Sequence, residues 1–132
     1  MKHLLVLLIC ITLSPALTQA QSTANSGKLL RHVVLFKFKE SSSAEDVDKV
    51  VKAFTALPSQ ISVIKGFEWG LNKSPEHYDQ GFTHCFIISF ASEHDRDEVY
   101  QKHPAHKAFQ DVLKPHMDKV FVVDYWAEQV SK

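Results

Sequence analysis

The sequence predicts an α+β protein of the ferredoxin-like class, with the element order βαββαβ. In this arrangement an antiparallel sheet carries both helices on one face. Two observations support it. Four stretches rich in aromatic and β-branched residues are separated, in that order, by two segments whose apolar residues recur at helical spacing. Three of the four predicted strands are also apolar on both of their faces, which is typical of a sheet covered on both sides.

The clearest strand follows a glycine turn at Gly81 and ends at Phe90. A period of two places His84 at the head of its apolar face. The first strand, roughly residues 32–39, has the same pattern, with His32 leading the apolar face. We therefore ask whether the two imidazole rings point into one pocket.

Two amphipathic segments predict the helices. Ser43 and Asp46 have capping-box spacing before the first of them, and Pro58 stops it. Ser92 begins the second helix, which Pro104 restarts as a first-turn proline. The apolar face of the first helix comprises Val47, Val50, Val51, Phe54 and Leu57.

The remaining two strands are predicted over residues 63–71 and 117–126. Gly66 and Gly70 interrupt the former, which indicates bulges or a close backbone approach. A polar loop over residues 72–81 leads into the strand that contains His84.

The N-terminus predicts a secretory signal peptide over residues 1–20. Lys2 precedes an apolar run over residues 4–13, and small residues precede a cut near Ala20. The run is short for a membrane span, so we expect no stable membrane insertion after cleavage and a secreted or periplasmic location. An uncleaved anchor, or lipid attachment at Cys10, is the alternative.

The mature chain divides into a flexible arm over residues 21–28 and one domain over residues 29–128. Removing Lys2 with the leader leaves 14 basic and 15 acidic side chains, a balance that argues against nucleic-acid binding. Cys85 is then the sole cysteine, so no intrachain disulfide forms, and we interpret it as a buried, inert thiol.

Two helices on one face leave the other apolar face of the sheet uncovered. The simplest partner is a second copy of the chain, so we predict a homodimer that packs sheet to sheet. Trp69, Tyr125 and Trp126 are interpreted as core or dimer contacts.

The sequence over residues 29–126 resembles the stress-responsive dimeric α/β-barrel (Dabb) family. The most specific segments are the Gly-Phe-Thr-His run at 81–84 and the His-Pro-Ala-His run at 103–106. Further matching segments are residues 31–39, 70–76, 97–102 and 120–125. The resemblance implies a ferredoxin-like fold whose two subunits form a β-barrel.

One branch of that family is similar to plant polyketide cyclases of the olivetolic acid type, which close a linear polyketide by aldol condensation. In those enzymes a histidine matching His106 is the base, and a tyrosine matching Tyr100 assists it. Histidines matching His32 and His84 line the pocket. The resemblance thus implies His106 and Tyr100 as catalytic candidates and His32 and His84 as ligand-binding candidates, and we expect all four to border one cavity.

The chemistry of these side chains is compatible with the roles that the resemblance implies. Imidazole titrates near neutrality, and a tyrosine hydroxyl can stabilise a developing enolate. The alternative is structural, with His103 and His106 satisfying a helix start and His32 and His84 fixing strand register. No cofactor or metal is expected, because no acidic or thiol ligand accompanies His103 and His106.

Three functions therefore remain open: a dimer that binds a small organic ligand, a lyase or cyclase that uses His106 and Tyr100, and a structural oligomer. The charged run at residues 95–98 is interpreted as a solvated helix face.

Overall fold

The computed structural model describes residues 27–130, which form a four-stranded antiparallel sheet with two α-helices on one face. The predicted leader and nearly all of the arm lie outside this range. The strands are β1 (Leu30–Phe38), β2 (Gly66–Leu71), β3 (His84–Phe90) and β4 (Met117–Trp126), in the spatial order β2-β3-β1-β4. The helices are α1 (Ala44–Thr55) and α2 (Pro104–Leu113). The predicted ferredoxin-like order is confirmed.

The predicted capping residues lie at the start of α1 and at the start of the helical segment that precedes α2. The Ser43 hydroxyl accepts from the backbone N–H of Asp46, and the Asp46 carboxylate accepts from the backbone N–H of Ser43. The Ser92 hydroxyl likewise accepts from the backbone N–H of Asp95 at 3.0 Å. A π-helical segment, Asp95–Tyr100, then leads toward α2.

The predicted boundaries were wrong in two places. The second strand begins at Gly66 rather than Val63, because a turn closed by the bond from Ile64 N–H to the Ile61 carbonyl precedes it. It pairs with β3 in unbroken register, so Gly66 marks a close approach to Ser89 rather than a bulge. At the end of α1, Leu57 lies in a short 3₁₀ turn.

The core lies between the helices and the sheet. Phe54 of α1 and Phe109 of α2 are stacked with ring centroids 4.2 Å apart, and both lie within 6.4 Å of the Phe36 ring of β1. Aromatic packing of this kind adds to the free energy gained by burying the rings. Because β1 lies in the middle of the sheet, its helix-facing side chains connect the core to β4.

The opposite sheet face is apolar and uncovered by any element within residues 27–130. Phe121, Val123 and Tyr125 of β4 are each at least 40% exposed on it, beside half-buried Val33 and Leu35 of β1. Such a contiguous apolar patch is typical of an interaction surface. Within the same range, no helix has the length and hydrophobicity needed to cross a bilayer.

Candidate ligand-binding cavity

A cavity of about 640 Å³ lies on the helix side of the sheet, where α2 and the π-helical segment face β1 and β4. Most of its polar side chains converge at one end, and the other end is mainly apolar. The polar lining residues are His32, Arg96, Asp97, Tyr100, Gln101, His106, Gln110, Lys114 and Asp124. The apolar ones are Val34, Phe36, Phe54, Phe109, Leu113, Met117, Val120 and Val122.

The strand register produces this gradient. His32 of β1 is paired with Asp124 of β4, and the next positions on the same face pair Val34 with Val122. The pairing continues to Phe36 and Val120. Four residues along a strand span about 13 Å. The cavity floor therefore runs over about 13 Å from a hydrogen-bonding end to a hydrocarbon end.

The π-helical segment brings two polar side chains to the polar end. Its wide turn is closed by the bond from Gln101 N–H to the Arg96 carbonyl, at 2.9 Å. Arg96 and Tyr100 both line the cavity, and the Tyr100 side chain is fully buried. π-helical turns often occur at functional sites.

The Tyr100 hydroxyl is a buried polar group without a hydrogen-bond partner among the described residues. Burial raises the pKa of the Tyr100 phenol well above its ordinary value, so the group remains protonated at neutral pH. Leaving such a group unsatisfied costs free energy, and a polar ligand atom or a water in the cavity would remove that cost.

His106 lies beside Tyr100, with ring centroids 4.2 Å apart. It is held in the first turn of α2, whose N-cap is His103; the His103 Nδ1 accepts from Ala105 N–H at 3.1 Å. The His106 Nδ1 is 3.5 Å from the Gln101 carbonyl oxygen. Burial lowers the pKa of His106, so its imidazole is neutral at pH 7.

His32 completes the polar end from the sheet side. Its Nδ1 lies 2.9 Å from Asp124 Oδ1, which also accepts from Arg96 Nη1 at 3.0 Å. Arg96 makes a second, two-pronged contact with the Asp97 carboxylate, at 2.7 and 3.1 Å. These neighbours raise the pKa of Arg96 above its already high value. His32, Tyr100 and His106 are thus brought together around one cavity.

His84 does not border this cavity, contrary to the prediction that all four residues would share it. It is on the same sheet face as His32, but the antiparallel register pairs His32 with Ile88 and His84 with Phe36. The two histidines therefore lie at opposite ends of the strand pair. His84 stacks on Trp69 and borders a separate cavity of about 480 Å³ near the loop after β2.

Two side-chain interpretations need correction. Arg96 is not part of a solvated helix face, because its side chain is 18% exposed and reaches Asp124. Cys85 is half-buried on the uncovered sheet face rather than enclosed in the core, although burial still raises its thiol pKa. Trp69 stacks on Phe86 and is nearly half exposed at the edge of the sheet, so its role as a core or dimer contact stays a prediction.

Arg96 and Asp124 are site residues that sequence reasoning missed. Asp124 carried a usable signal, because it shares a strand face with Val120, Val122 and Trp126, and an acid in an apolar stripe needs a partner. Arg96 carried none. No three His, Cys, Asp or Glu side chains within residues 27–130 form a group able to hold a metal ion.

The fold and cavity define a small ferredoxin-like α+β domain with a half-polar pocket beneath its second helix. The profile of the Stress responsive A/B Barrel Domain matches residues 30–127. The chain belongs to this family.

Two plant proteins are similar to the chain. The stress-response A/B barrel domain-containing protein HS1 of Arabidopsis thaliana is 37% identical over 102 residues, which cover 77% of this chain and 93% of that protein. Olivetolic acid cyclase of Cannabis sativa is 27% identical over 96 residues, covering 73% and 94% respectively.

A solved structure from Bacteroides fragilis superposes with a TM-score of 0.62 at 30% identity, covering 75% of this chain and 96% of its own. It is described as a dimeric protein of unknown function with a ferredoxin-like fold.

Proposed function

We propose that this protein binds a small amphipathic organic molecule in the cavity between α2 and β4. The observation that carries the proposal is the fully buried hydroxyl of Tyr100, which has no partner within residues 27–130 and belongs to a residue that lines a 640 Å³ cavity. Cavities of several hundred Å³ that are mostly apolar, with a few convergent polar groups, are typical small-molecule sites. A purely structural oligomer has no evident need for that space.

The gradient along the cavity supports an amphipathic ligand. A polar head fits against Tyr100, His106 and His32, where hydrogen-bonding groups converge. A hydrocarbon portion fits over the region from Val34 to Val120, where burial of apolar surface contributes about 25 cal/mol per Å².

We further propose that the chain acts as a homodimer in an exported form. The uncovered face carries Phe121, Val123 and Tyr125, and the Bacteroides fragilis relative is a dimer. Packing two such faces together would remove their apolar surface from water. The apolar run before Ala20 supports export.

A second candidate function is base-catalysed chemistry on a carbonyl compound, as in a cyclase or lyase. One relative is an olivetolic acid cyclase. The Tyr100 and His106 rings, with centroids 4.2 Å apart, place the two candidate catalytic groups side by side. Neutral His106 would take a proton from carbon, and protonated Tyr100 would donate a hydrogen bond to the oxygen that gains charge.

Binding is tested by differential scanning fluorimetry and native mass spectrometry with a panel of alkylphenols. Wild type should gain thermal stability, since a ligand that binds only the folded state stabilises it. Val122→Phe, which fills the cavity from β4, should lose that gain. Val112→Phe is the control, because Val112 is similarly exposed on α2 but does not line the cavity. Equal shifts for both variants and wild type would place binding elsewhere.

Catalysis is tested by incubating β-keto compounds with wild type and with His106→Ala. Turnover by wild type that His106→Ala abolishes supports the second candidate. Equal turnover by the two proteins removes the catalytic role of His106.

A further inference from the structure

The hydrogen-bond pattern at the polar end points to the kind of head group that fits there. We infer that the cavity selects ligands with a neutral hydroxyl head, such as a phenol, enol or alcohol, over ligands with a carboxylate head. This inference rests on the proposed binding function and deepens it. It follows from which atoms at the polar end are already hydrogen-bonded and which remain free.

The first step concerns the two imidazole rings. A carboxylate oxygen and a carbonyl oxygen only accept hydrogen bonds. The contacts of His32 with Asp124 and of His106 with the Gln101 carbonyl therefore place a proton on Nδ1 of each ring. In a neutral ring the other nitrogen, Nε2, is then an acceptor. Burial lowers the pKa of His106, so this ring is neutral at pH 7 and its Nε2 requires a donor from the ligand.

The second step concerns charge. Arg96 is the one lysine or arginine at this end among the described residues, and its guanidinium already contacts two carboxylates, those of Asp97 and Asp124. One guanidinium and two carboxylates together carry a net charge of about −1. A carboxylate head group would meet this charge and the acceptor Nε2 of His106, without a free guanidinium to bind it.

The third step concerns Lys114, the other cation that lines the cavity. It follows Leu113 at the end of α2, about 12 Å along the helix from His106. Its ammonium group contacts Asp111 at 3.1 Å and is largely solvated. Lys114 therefore belongs to the apolar end and does not neutralise the polar one.

A hydroxyl head satisfies both the His106 ring and Tyr100. Its proton can be donated to the His106 Nε2, and its oxygen can accept from the Tyr100 hydroxyl, which has no other partner in the described chain. A carboxylate can accept from Tyr100 but offers no proton to either imidazole. Buried acceptors that stay unpaired discriminate strongly between ligands of similar shape.

The test is isothermal titration calorimetry of the mature protein with two probes of matched size, 4-butylphenol and 4-butylbenzoate. The titrations are run at about pH 8, where free imidazole is neutral and the benzoate is ionised. We expect the phenol to bind at least about tenfold more tightly. Asp124→Asn should reduce that ratio several-fold by removing one negative charge. Asp118→Asn, on the same strand but outside the cavity, should leave it unchanged.

The possible outcomes distinguish failure of the head-group inference from failure of the proposed binding function. Benzoate binding that equals or exceeds phenol binding overturns the head-group inference and leaves ligand binding intact. A ratio that Asp124→Asn does not change overturns the electrostatic argument. If neither probe binds wild type, the proposed binding function fails, and the inference fails with it.

Discussion

His32 and Asp124 occupy directly paired positions of β1 and β4, and a 2.9 Å hydrogen bond joins His32 Nδ1 to Asp124 Oδ1. Asp124 also accepts a hydrogen bond from Arg96, so one carboxylate connects the sheet to the π-helical segment. Asp124→Asn should therefore lower the free energy of unfolding by about 1–3 kcal/mol. Urea denaturation of wild type and of Asp124→Asn measures the difference in the free energy of unfolding.

The matched control is Asp118→Asn. Asp118 pairs with Lys37 at 3.3 Å in a more exposed setting on the same strand, where an ion pair contributes less than about 1 kcal/mol. If the two variants are equally stable, the His32–Asp124–Arg96 contacts do not stabilise the fold.

Tyr100→Phe should separate folding from binding. The Tyr100 hydroxyl has no partner within residues 27–130, so its removal should leave the free-state stability unchanged or slightly raised. Affinity for an alkylphenol should fall about tenfold, the effect of one lost hydrogen bond. Parallel denaturation and calorimetry measure the two quantities. A large loss of free-state stability, or an unchanged affinity, would contradict the assignment of Tyr100 to the ligand site.

The stability of the protein should depend on pH through His106. Burial lowers its pKa in the folded state below the ordinary value of about 6.5, so the unfolded chain binds more protons below that value. Stability is therefore complete above about pH 6.5 and decreases as the pH falls below it. His106→Gln should flatten this decrease between about pH 7 and pH 5.5, as measured by urea denaturation at each pH.

Part of the slope should remain in that variant, because burial also lowers the pKa of His84. Adding His84→Gln should flatten the curve further. An His106→Gln curve that parallels wild type would mean that His106 is solvated rather than buried.

The oligomeric state is tested by two substitutions on opposite faces of the same strand, β4. Val123 faces the uncovered side, whereas Val120 lines the cavity on the other side, and the two are similarly exposed. Val123→Lys should convert a dimer into a monomer in light scattering coupled to size exclusion, because a buried charge opposes association. Val120→Lys should remain dimeric. The reverse pattern would place the interface on the helix side.

The sequence predicted the order of the elements and most of the core because these depend on local signals. Alternation over β1 and β3 gave the faces of His32 and His84, and capping residues such as Ser43 gave the helix starts. The π-helical turn that ends at Tyr100 was not predicted, because its hydrogen bonds span only one residue more than those of an α-helix and six residues leave no periodic signal.

The composition of the cavity was predicted only in part, for a different reason. His32, Tyr100 and His106 were expected together and lie together, whereas His84 lies elsewhere. Period two gives the face of a strand but not its register, and register decides which end of the sheet a residue reaches. Arg96 was missed because its inward position depends on Asp124, some 28 residues later in the chain.

The most direct measurement is a crystal structure of the mature protein soaked with 4-butylphenol. The account predicts electron density for the probe between α2 and β4, with its oxygen within hydrogen-bond distance of the Tyr100 hydroxyl and its butyl group toward Val120. A probe bound only at another site, or a cavity that contains only water at saturating concentration, would contradict it.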